Sequence, residues 1–166
     1  MLAIEGGRVE RCHCFPTITN PTVAQHTFNA VSLLLCLCPD PTINMIKALQ
    51  FHDVAERFLG DMPATAKWKF PDLKEVYERI EWLILDTNGM YPKLSETERK
   101  WVAAMDMLEF FLYIKHEERL GNRYAAQRLH NIEQALITSD LPIPVREFFS
   151  RYRFDYDELE DKECGI

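Results

Sequence analysis

The chain of 166 residues lacks any hydrophobic run long enough to cross a bilayer. Its most apolar stretch runs from Val31 to Cys38 and is interrupted by Ser32, whereas a spanning helix takes about 20 residues. Residues 1–11 carry charged side chains and no signal-peptide core. The sequence therefore predicts a cytoplasmic protein that does not bind a membrane.

Positive charge is scarce as well. Lysine and arginine number 19 against 26 aspartates and glutamates, so the net charge is −7. A field of this sign repels nucleic acids and anionic membranes, and it weighs against a nucleic-acid polymer as a partner. A small anionic substrate stays compatible with it, because a local cluster of cations or a metal ion is enough to attract one.

The cysteines do not suggest a disulfide framework. They are odd in number, which in a chain without a leader favours reduced thiols. The five are Cys12, Cys14, Cys36, Cys38 and Cys164. Two Cys-x-Cys pairs leave open a zinc site of four thiolates, but zinc sites usually separate paired ligands by two or more residues. Because side chains two apart on a helix point to nearly opposite sides, we expect buried thiols that act as small apolar groups.

Strands of alternating polarity, internal repeats and low-complexity linkers are also missing from the sequence. Apolar residues instead recur at helical spacing, interrupted by proline, glycine and asparagine at short loops. With 47% hydrophobic residues, the pattern predicts one all-α bundle of five or six helices over residues 1–154 and an acidic, flexible tail over residues 155–166. The expected helices span residues 22–38, 42–60, 72–86, 95–121, 123–138 and 145–152, with a loop at 62–70 and N-caps at Thr22, Thr42 and Ser95.

Four polar residues lie inside apolar helical stretches: His26, His52, Asp53 and Asp106. Each alone is typical of a hydrogen-bonded core histidine or of a paired or surface aspartate. A buried charged aspartate is costly, however, unless it is paired or bound to a metal. Two imidazoles and two carboxylates from three helices suit a divalent transition metal such as Zn, Co, Mn, Fe or Ni. Together they predict a metal site in a helical core.

The order His, His-Asp, Asp resembles that of the HD-domain metal phosphohydrolases. Further blocks are similar to the branch of bacterial 5′-deoxynucleotidases and phage dATP triphosphohydrolases; they are Arg8–Arg11, Val23–His26, His52–Glu56, Gly60–Pro63 and Lys67. The resemblance covers about two thirds of the chain. It implies the HD-domain fold, a small-molecule deoxynucleotide as substrate and one divalent transition metal ion, with Mg²⁺ as an optional companion of the substrate phosphates. For a phage-encoded chain the compartment would be the host cytoplasm.

The resemblance also implies roles for residues at the metal site. His26, His52, Asp53 and Asp106 would hold the ion, and a water activated by it would attack phosphorus. Glu56 shares a helix face with His52 and Asp53, from which it would orient that water or handle its proton. Surface pairing of Glu56 with Arg57 or Lys47 is the alternative.

Asp61 matches the family's Gly-Asp-x-Pro loop. There it would orient the reacting phosphate or the attacking water. The alternative is an ordinary turn residue after Gly60.

Five residues are candidates for substrate binding. Arg8 and Arg11 would supply positive charge, and Arg11 resembles an arginine that the nucleotidases use near the sugar and phosphate. Cys12 stands where those enzymes have a tryptophan, a departure that affects sugar recognition. Lys67 would neutralise phosphate charge or remain a solvated lysine. Trp68 is a candidate for the wall of the base pocket.

Several functions fit this pattern. The short chain and the missing tryptophan favour a dNTP triphosphohydrolase, with dATP first, that gives deoxynucleoside and triphosphate. A dNMP 5′-nucleotidase releasing orthophosphate is the main alternative. An HD phosphodiesterase would need a second pair of metal-ligating histidines that the sequence does not show, and a non-catalytic metal-stabilised module would have no use for Glu56 and Asp61.

The C-terminal half carries more aromatic surface than a small domain readily buries. We therefore expect a homo-oligomer, a dimer or a ring of dimers, joined through the helix over 95–121 and the C-terminal helix. The residues concerned are Phe110, Phe111, Tyr113, Phe148, Phe149 and Tyr152.

Overall fold

Helices make up nearly all of the regular structure. The computed structural model describes residues 1–154, apart from the side chains of Ala64, Thr65, Trp68 and Phe154. The helices are α1 (Leu2–Gly6), α2 (Val23–Leu37), α3 (Ile43–Phe51), α4 (Glu56–Leu59), α5 (Ala64–Lys69), α6 (Pro71–Thr87), α7 (Glu96–Arg119), α8 (Ala126–Thr138) and α9 (Ile143–Phe154). Across the described residues, β-type pairing is limited to an isolated bridge between Glu10 and Thr22. The all-α prediction is confirmed, and the tail predicted over 155–166 lies outside the described residues.

The three expected N-caps fix the starts of the helices that carry the polar residues. Thr22 and Ser95 each close a reciprocal capping box, at the first turn of α2 and of α7. Thr42 accepts a hydrogen bond of 3.2 Å from the Met45 amide at the start of α3. These local signals place the helical faces that bring the polar residues together. Among all the described residues, 1–154, no helix is both long and apolar enough to span a membrane.

The helix expected over residues 42–60 is in fact interrupted. α3 ends at Phe51 and α4 begins at Glu56. Between them the Val54 amide donates to Phe51 O and the Glu56 amide donates to Asp53 O, three residues back. These tighter turns replace the α-helical pattern over His52 and Asp53. The single-helix prediction was wrong because hydrophobic spacing continues through the break.

The loop expected over residues 62–70 contains the short helix α5. Pro63 stands at its N-cap position, where the missing amide hydrogen removes no helical bond. Lys67 therefore lies on a helix rather than in a loop.

A shared apolar core joins α2, α3, α7 and α8. α7 is its central element and packs against the other three. Leu34, Leu49, Leu108, Phe111 and Ile114 are fully buried there. The polar residues of α2, α3 and α7 therefore approach one another at the edge of a rigid centre.

The aromatic residues expected at a subunit interface belong to this core or pack against it. α9 folds back onto α7, and Phe111 meets Phe149 edge to face with ring centroids 5.1 Å apart. Phe148 stacks on Tyr152 at 4.2 Å, and Phe110 packs against the same cluster. Phe111 and Phe149 are buried, whereas the other four rings are half-buried, so the interface predicted on these two helices stays a prediction.

The cysteines within the described residues are free thiols. Cys38 is buried and Cys12 is half-buried, whereas Cys14 and Cys36 are exposed. The expectation of buried thiols is therefore wrong for Cys14 and Cys36. The metal-capable group found in the described residues consists of imidazoles and a carboxylate, not of thiolates.

Glu117 anchors the loop before α2 to the end of α7. Its carboxylate is fully buried. It accepts hydrogen bonds from the amides of Ile18 and Thr19 at 2.7 and 2.8 Å, from the Thr19 hydroxyl at 2.5 Å, and from Asn122 Nδ2 at 2.7 Å. Burial opposes ionisation, but these donors lower the pKa of Glu117 to about 2. The carboxylate thus fixes a loop whose first residues reach the polar cluster.

We expect Glu117→Gln to lower the free energy of unfolding by about 2 kcal/mol at neutral pH, since the amide turns one acceptor into a donor facing other donors. The native pKa lies below the ordinary 4.5. The contribution is therefore complete above about pH 4.5 and is lost as the pH falls toward 2. Urea unfolding of wild type and variant at about pH 7 and pH 3 measures the effect, with exposed Glu118→Gln as the control. An equal difference at both pH values would contradict the assignment.

Candidate active site

Four side chains converge where α2, the α3–α4 break and α7 meet. His26 Nε2 lies 3.0 Å from Asp106 Oδ1 and 3.2 Å from His52 Nε2. His52 Nε2 lies 3.2 Å from Asp53 Oδ2. His26 is 2% exposed, whereas the Asp106 side chain is 44% exposed. The four residues singled out from the sequence are therefore neighbours in the fold, with an opening on the α7 side.

The hydrogen bonds of the two imidazoles fit a metal ion. His52 Nδ1 donates to Leu49 O at 2.8 Å, because a carbonyl oxygen can only accept. His26 Nδ1 faces Glu109 Oε2 at 2.5 Å. Because both Nδ1 atoms face acceptors, the neutral form of each ring would direct the lone pair of its Nε2 atom at the other ring. His26, His52 and Asp53 form a group whose ligand atoms all lie within 4.8 Å of one another, so the donor set fits a transition metal ion.

The charges of the cluster support metal ligation. Burial works against ionisation of Asp53, but His52 and Arg11 lower its pKa well below the ordinary value. Asp106 is only partly buried, and although its desolvation works the other way, hydrogen bonds to His26 and His52 lower its pKa well below the ordinary value. Conversely, burial disfavours the charged form of His52, yet Asp53 and Asp106 raise its pKa well above the usual range. Both carboxylates are therefore ionised at neutral pH, as ligation requires.

Arg11 reaches into the cluster from the loop before α2. Its guanidinium makes an ion pair with Asp53 Oδ2. Its amide donates to Pro21 O at 2.9 Å. Burial disfavours the charge, but Asp53 and Asp106 raise the pKa of Arg11 above its ordinary value. A permanent cation thus lies beside the carboxylates.

Glu56 lies behind Asp53 at the start of α4. It is only 5% exposed, and its Oε2 atom is a buried oxygen without a protein hydrogen-bond partner. Burial and the charge of Asp53 raise the pKa of Glu56 to about 8. The alternative of a surface pair with Arg57 or Lys47 was wrong, because Glu56 is buried and Arg57 pairs with Glu5. The carboxylate of Glu56 is therefore a stronger proton acceptor than that of an ordinary glutamate, and its Oε2 atom has no protein partner.

Asp61 ties the end of α4 to the loop that carries Arg11. Its Oδ2 atom accepts a hydrogen bond of 2.9 Å from the Cys12 amide and lies 3.5 Å from His13 Nδ1. It follows Gly60, whose φ of 74° makes the sharp turn. Cys12 itself has a φ of 60°, which is uncommon for a side-chain-bearing residue. Asp61 is thus a turn residue that also fixes the Cys12 backbone.

Of the other candidates for substrate binding, Lys67 lies near the site. Lys67 Nζ lies 4.9 Å from the centre of the Tyr77 ring, and Tyr77 Oη donates to Gly60 O at 2.7 Å. Lys67 is therefore close to the Gly60–Asp61 turn. The Trp68 side chain lies outside the described residues.

Arg8 is not part of the cluster. It lines a cavity of about 400 Å³ with Glu5, Val9 and Arg57. None of these residues belongs to the four-residue cluster. The structure thus brings Arg11, Cys12 and Lys67 toward the site but places Arg8 in a different cavity.

Sequence reasoning missed two residues of the site, Glu109 and Tyr77. Glu109 stands three residues after Asp106 on α7, so the two share a helix face. Helical spacing was a usable signal for Glu109, since it is an acidic residue inside the apolar stretch of α7. Tyr77 gave no signal, because its spacing matches that of an apolar core residue.

Comparisons with known proteins agree with this geometry. The family model described as YfbR-like 5′-deoxynucleotidase matches residues 7–156. Among solved structures, the chain is similar to the cyanophage S-2L HD phosphohydrolase DatZ, determined bound to dA and one catalytic Zn²⁺ ion. The TM-score is 0.66 at 18% identity, covering 97% of this chain and 95% of that one. At this level of sequence identity, the similarity shows that the two chains share a fold. A comparison with curated protein sequences gives no match.

Proposed function

Because the chain belongs to the YfbR-like 5′-deoxynucleotidase family, we propose that it hydrolyses deoxynucleoside triphosphates, dATP first, to deoxynucleoside and triphosphate. The coarser prediction, an HD-domain phosphohydrolase that acts on deoxynucleotides, is confirmed by that membership. The prediction of a divalent transition metal cofactor is confirmed too, by the His-His-Asp group and the Zn²⁺ of DatZ. A non-catalytic module is thereby set aside.

His26, His52, Asp53 and Asp106 are the proposed metal ligands. The observation that supports them is the facing pair of Nε2 atoms, 3.2 Å apart, flanked by two ionised carboxylates. When bound, a divalent ion supplies positive charge that polarises the phosphoryl group and acidifies a water molecule. Arg11 adds a fixed cation beside Asp53. In an acidic chain, this local charge is what draws the substrate anion to the site.

Glu56 and Asp61 are the proposed catalytic residues. Glu56 Oε2 is buried, unpartnered and adjacent to Asp53, so we assign to it the transfer of the proton of the attacking water. Asp61 accepts a hydrogen bond from the Cys12 amide. We assign to it the orientation of the reacting phosphate group. Cys12 is the proposed neighbour of the sugar. A wall that leaves no room for a 2′-hydroxyl would select deoxyribose by steric exclusion, so ribonucleotides should be poorer substrates.

Lys67 supports the choice of a triphosphate. A monophosphate needs only the ion and one arginine, whereas the additional phosphates need more positive charge. Lys67 lies over the Tyr77 ring, next to the turn that carries Asp61. We assign to it the outer phosphates as a point charge.

The nature of the product tests the proposal directly. Incubation with dATP and Co²⁺, Mn²⁺ or Zn²⁺ should release inorganic triphosphate and deoxyadenosine, and dAMP should be cleaved poorly. Ion chromatography distinguishes triphosphate from orthophosphate. Efficient cleavage of dAMP with dATP inert would replace this proposal by the 5′-nucleotidase.

Lys67→Ala should lower kcat/KM for dATP by about tenfold, the scale of one exposed charge–phosphate contact, and should leave that for dAMP nearly unchanged. Steady-state kinetics on both substrates measure the difference. Lys74→Ala, which removes an exposed lysine paired with Glu78, is the matched control. An equal loss on both substrates would reassign Lys67 to a general structural role.

The homo-oligomer stays a prediction, and α6 offers a further candidate surface for it. Among the exposed apolar residues of the chain, Leu73, Val76 and Leu83 of α6 are 44%, 45% and 55% exposed. Their spacing puts them on one face of the helix, which a second copy of α6 would cover across a two-fold axis. Light scattering at micromolar concentration should give a multiple of the 19.5 kDa chain mass, and Val76→Asp should shift it to the monomer. A monomeric wild type would refute this.

A further inference from the structure

A buried polar contact lies behind the proposed metal ligands. Glu109 is 7% exposed, on the side of His26 away from His52. Its Oε2 atom lies 2.5 Å from His26 Nδ1, and its Oε1 atom accepts a hydrogen bond of 3.2 Å from Asn29 Nδ2. Both carboxylate oxygens of Glu109 are thus engaged by donors from α2.

Helix geometry explains why these four residues meet. Asn29 follows His26 by three residues on α2, and Glu109 follows Asp106 by three residues on α7. Residues three apart share a helix face, and α2 and α7 pack closely along that face. Each helix therefore supplies one proposed ligand and one residue behind it.

We propose that Glu109 is a positioning residue that holds His26 in the orientation and tautomer required for metal binding, with Asn29 holding Glu109 in turn. A hydrogen on His26 Nδ1, donated to the carboxylate, leaves Nε2 unprotonated and pointing at His52 Nε2. The negative charge of Glu109 also makes His26 a more basic ligand. Glu109 itself does not touch the ion or the substrate.

The contact is more than core packing. A buried carboxylate without partners would be costly, and an apolar residue would fill the same volume at less cost. The two oxygens of Glu109 instead match two donors, one of them on a proposed ligand. His52 has a corresponding arrangement through Leu49 O, but with a neutral acceptor. Of these two imidazoles, His26 is the one whose acceptor is a carboxylate.

Metal affinity tests the inference. The full-length protein is stripped with chelator, and Zn²⁺ is titrated in competition with a chromogenic chelator. Glu109→Gln should weaken the apparent affinity for Zn²⁺ by about 10- to 100-fold, because glutamine can keep only one of the two acceptor contacts. Asn29→Ala should weaken it by less, and exposed Glu118→Gln should not change it. At saturating Zn²⁺, the kcat of Glu109→Gln should recover much of the loss.

The melting temperature of the metal-free protein separates this role from a purely structural one. Lower Zn²⁺ affinity together with correct folding of the metal-free variant supports the inference. Wild-type Zn²⁺ affinity in Glu109→Gln overturns it, whatever the stability. If Glu109→Gln does not fold, Asn29→Ala decides, and unchanged Zn²⁺ affinity in that variant also overturns the inference. The inference rests on the metal site of the proposed function, but the titration contains no nucleotide, so an error in the choice of substrate leaves it unaffected.

Discussion

Asp53→Ala is expected to remove both the bound metal and all turnover above background. Asp53 Oδ2 lies 3.2 Å from His52 Nε2 and 3.7 Å from His26 Nε2, and it pairs with the Arg11 guanidinium. Its loss deletes a ligand and leaves the charge of Arg11 uncompensated beside the two imidazoles. The site would then repel a cation. Removing one member of a buried charged cluster has a much larger effect than removing a surface charge.

Metal analysis of the purified protein and turnover of dATP and dAMP measure this effect. Asp53→Asn keeps the size of the side chain and removes its charge, so it should fail in the same way. Asp86→Ala, at an exposed aspartate of α6, is the matched control and should keep both properties. Circular dichroism must show that the variants remain helical. Full activity in an Asp53 variant shown to lack metal would contradict the proposed mechanism.

The helices and the ligand cluster were predictable because their signals are local or cumulative. Capping residues such as Thr22 and Ser95 mark helix starts within four residues of sequence. His26, His52 and Asp106 are conspicuous, since each interrupts an apolar stretch at a point where burial without a partner would be costly. Several such interruptions are better explained by one shared site than by separate exceptions. Their order along the chain, His, His-Asp, Asp, then matched that of the HD-domain phosphohydrolases.

The break between α3 and α4 was not predictable from hydrophobic spacing. Phe51, Val54 and Phe58 are spaced three and four residues apart across it, as on one helix face, and no proline or glycine separates them. At the interruption, the side chain of His52 faces His26 and that of Asp53 pairs with Arg11. A continuous α-helix would point neighbouring side chains about 100° apart. The local turns at the break bring His52 Nε2 and Asp53 Oδ2 together.

How much of the aromatic surface is covered within the chain was also not predictable. Counting rings such as Phe148 and Tyr152 says how much apolar area exists, but not which element covers it. Packing of α9 against α7 covers these two rings in part. Exposed apolar residues such as Val76 and Leu83 on α6 are harder to single out in the sequence, because they are aliphatic and stand among charged residues. Which face of an amphipathic helix stays open depends on the packing of the other helices.

Glu56→Gln should leave the fold and the bound metal unchanged and lower kcat by about 100-fold or more, the usual scale for one general acid–base group. The substitution is nearly isosteric and removes the ability of the side chain to gain or lose a proton. Glu56 is buried beside Asp53, and burial together with that neighbouring charge raises its pKa to about 8. Its Oε2 atom has no protein partner, so the glutamine breaks no existing hydrogen bond at that atom.

Three measurements on Glu56→Gln separate chemistry from structure. The melting temperature should stay close to that of wild type, and the Zn²⁺ content should stay at the wild-type stoichiometry. KM for dATP should change little, because Glu56 is assigned to proton transfer and not to substrate binding. Glu118→Gln, at an exposed position of α7, controls for the change in net charge. An unchanged kcat in Glu56→Gln would remove Glu56 from the mechanism and leave its buried oxygen without a function, while a loss of metal would make it a ligand instead.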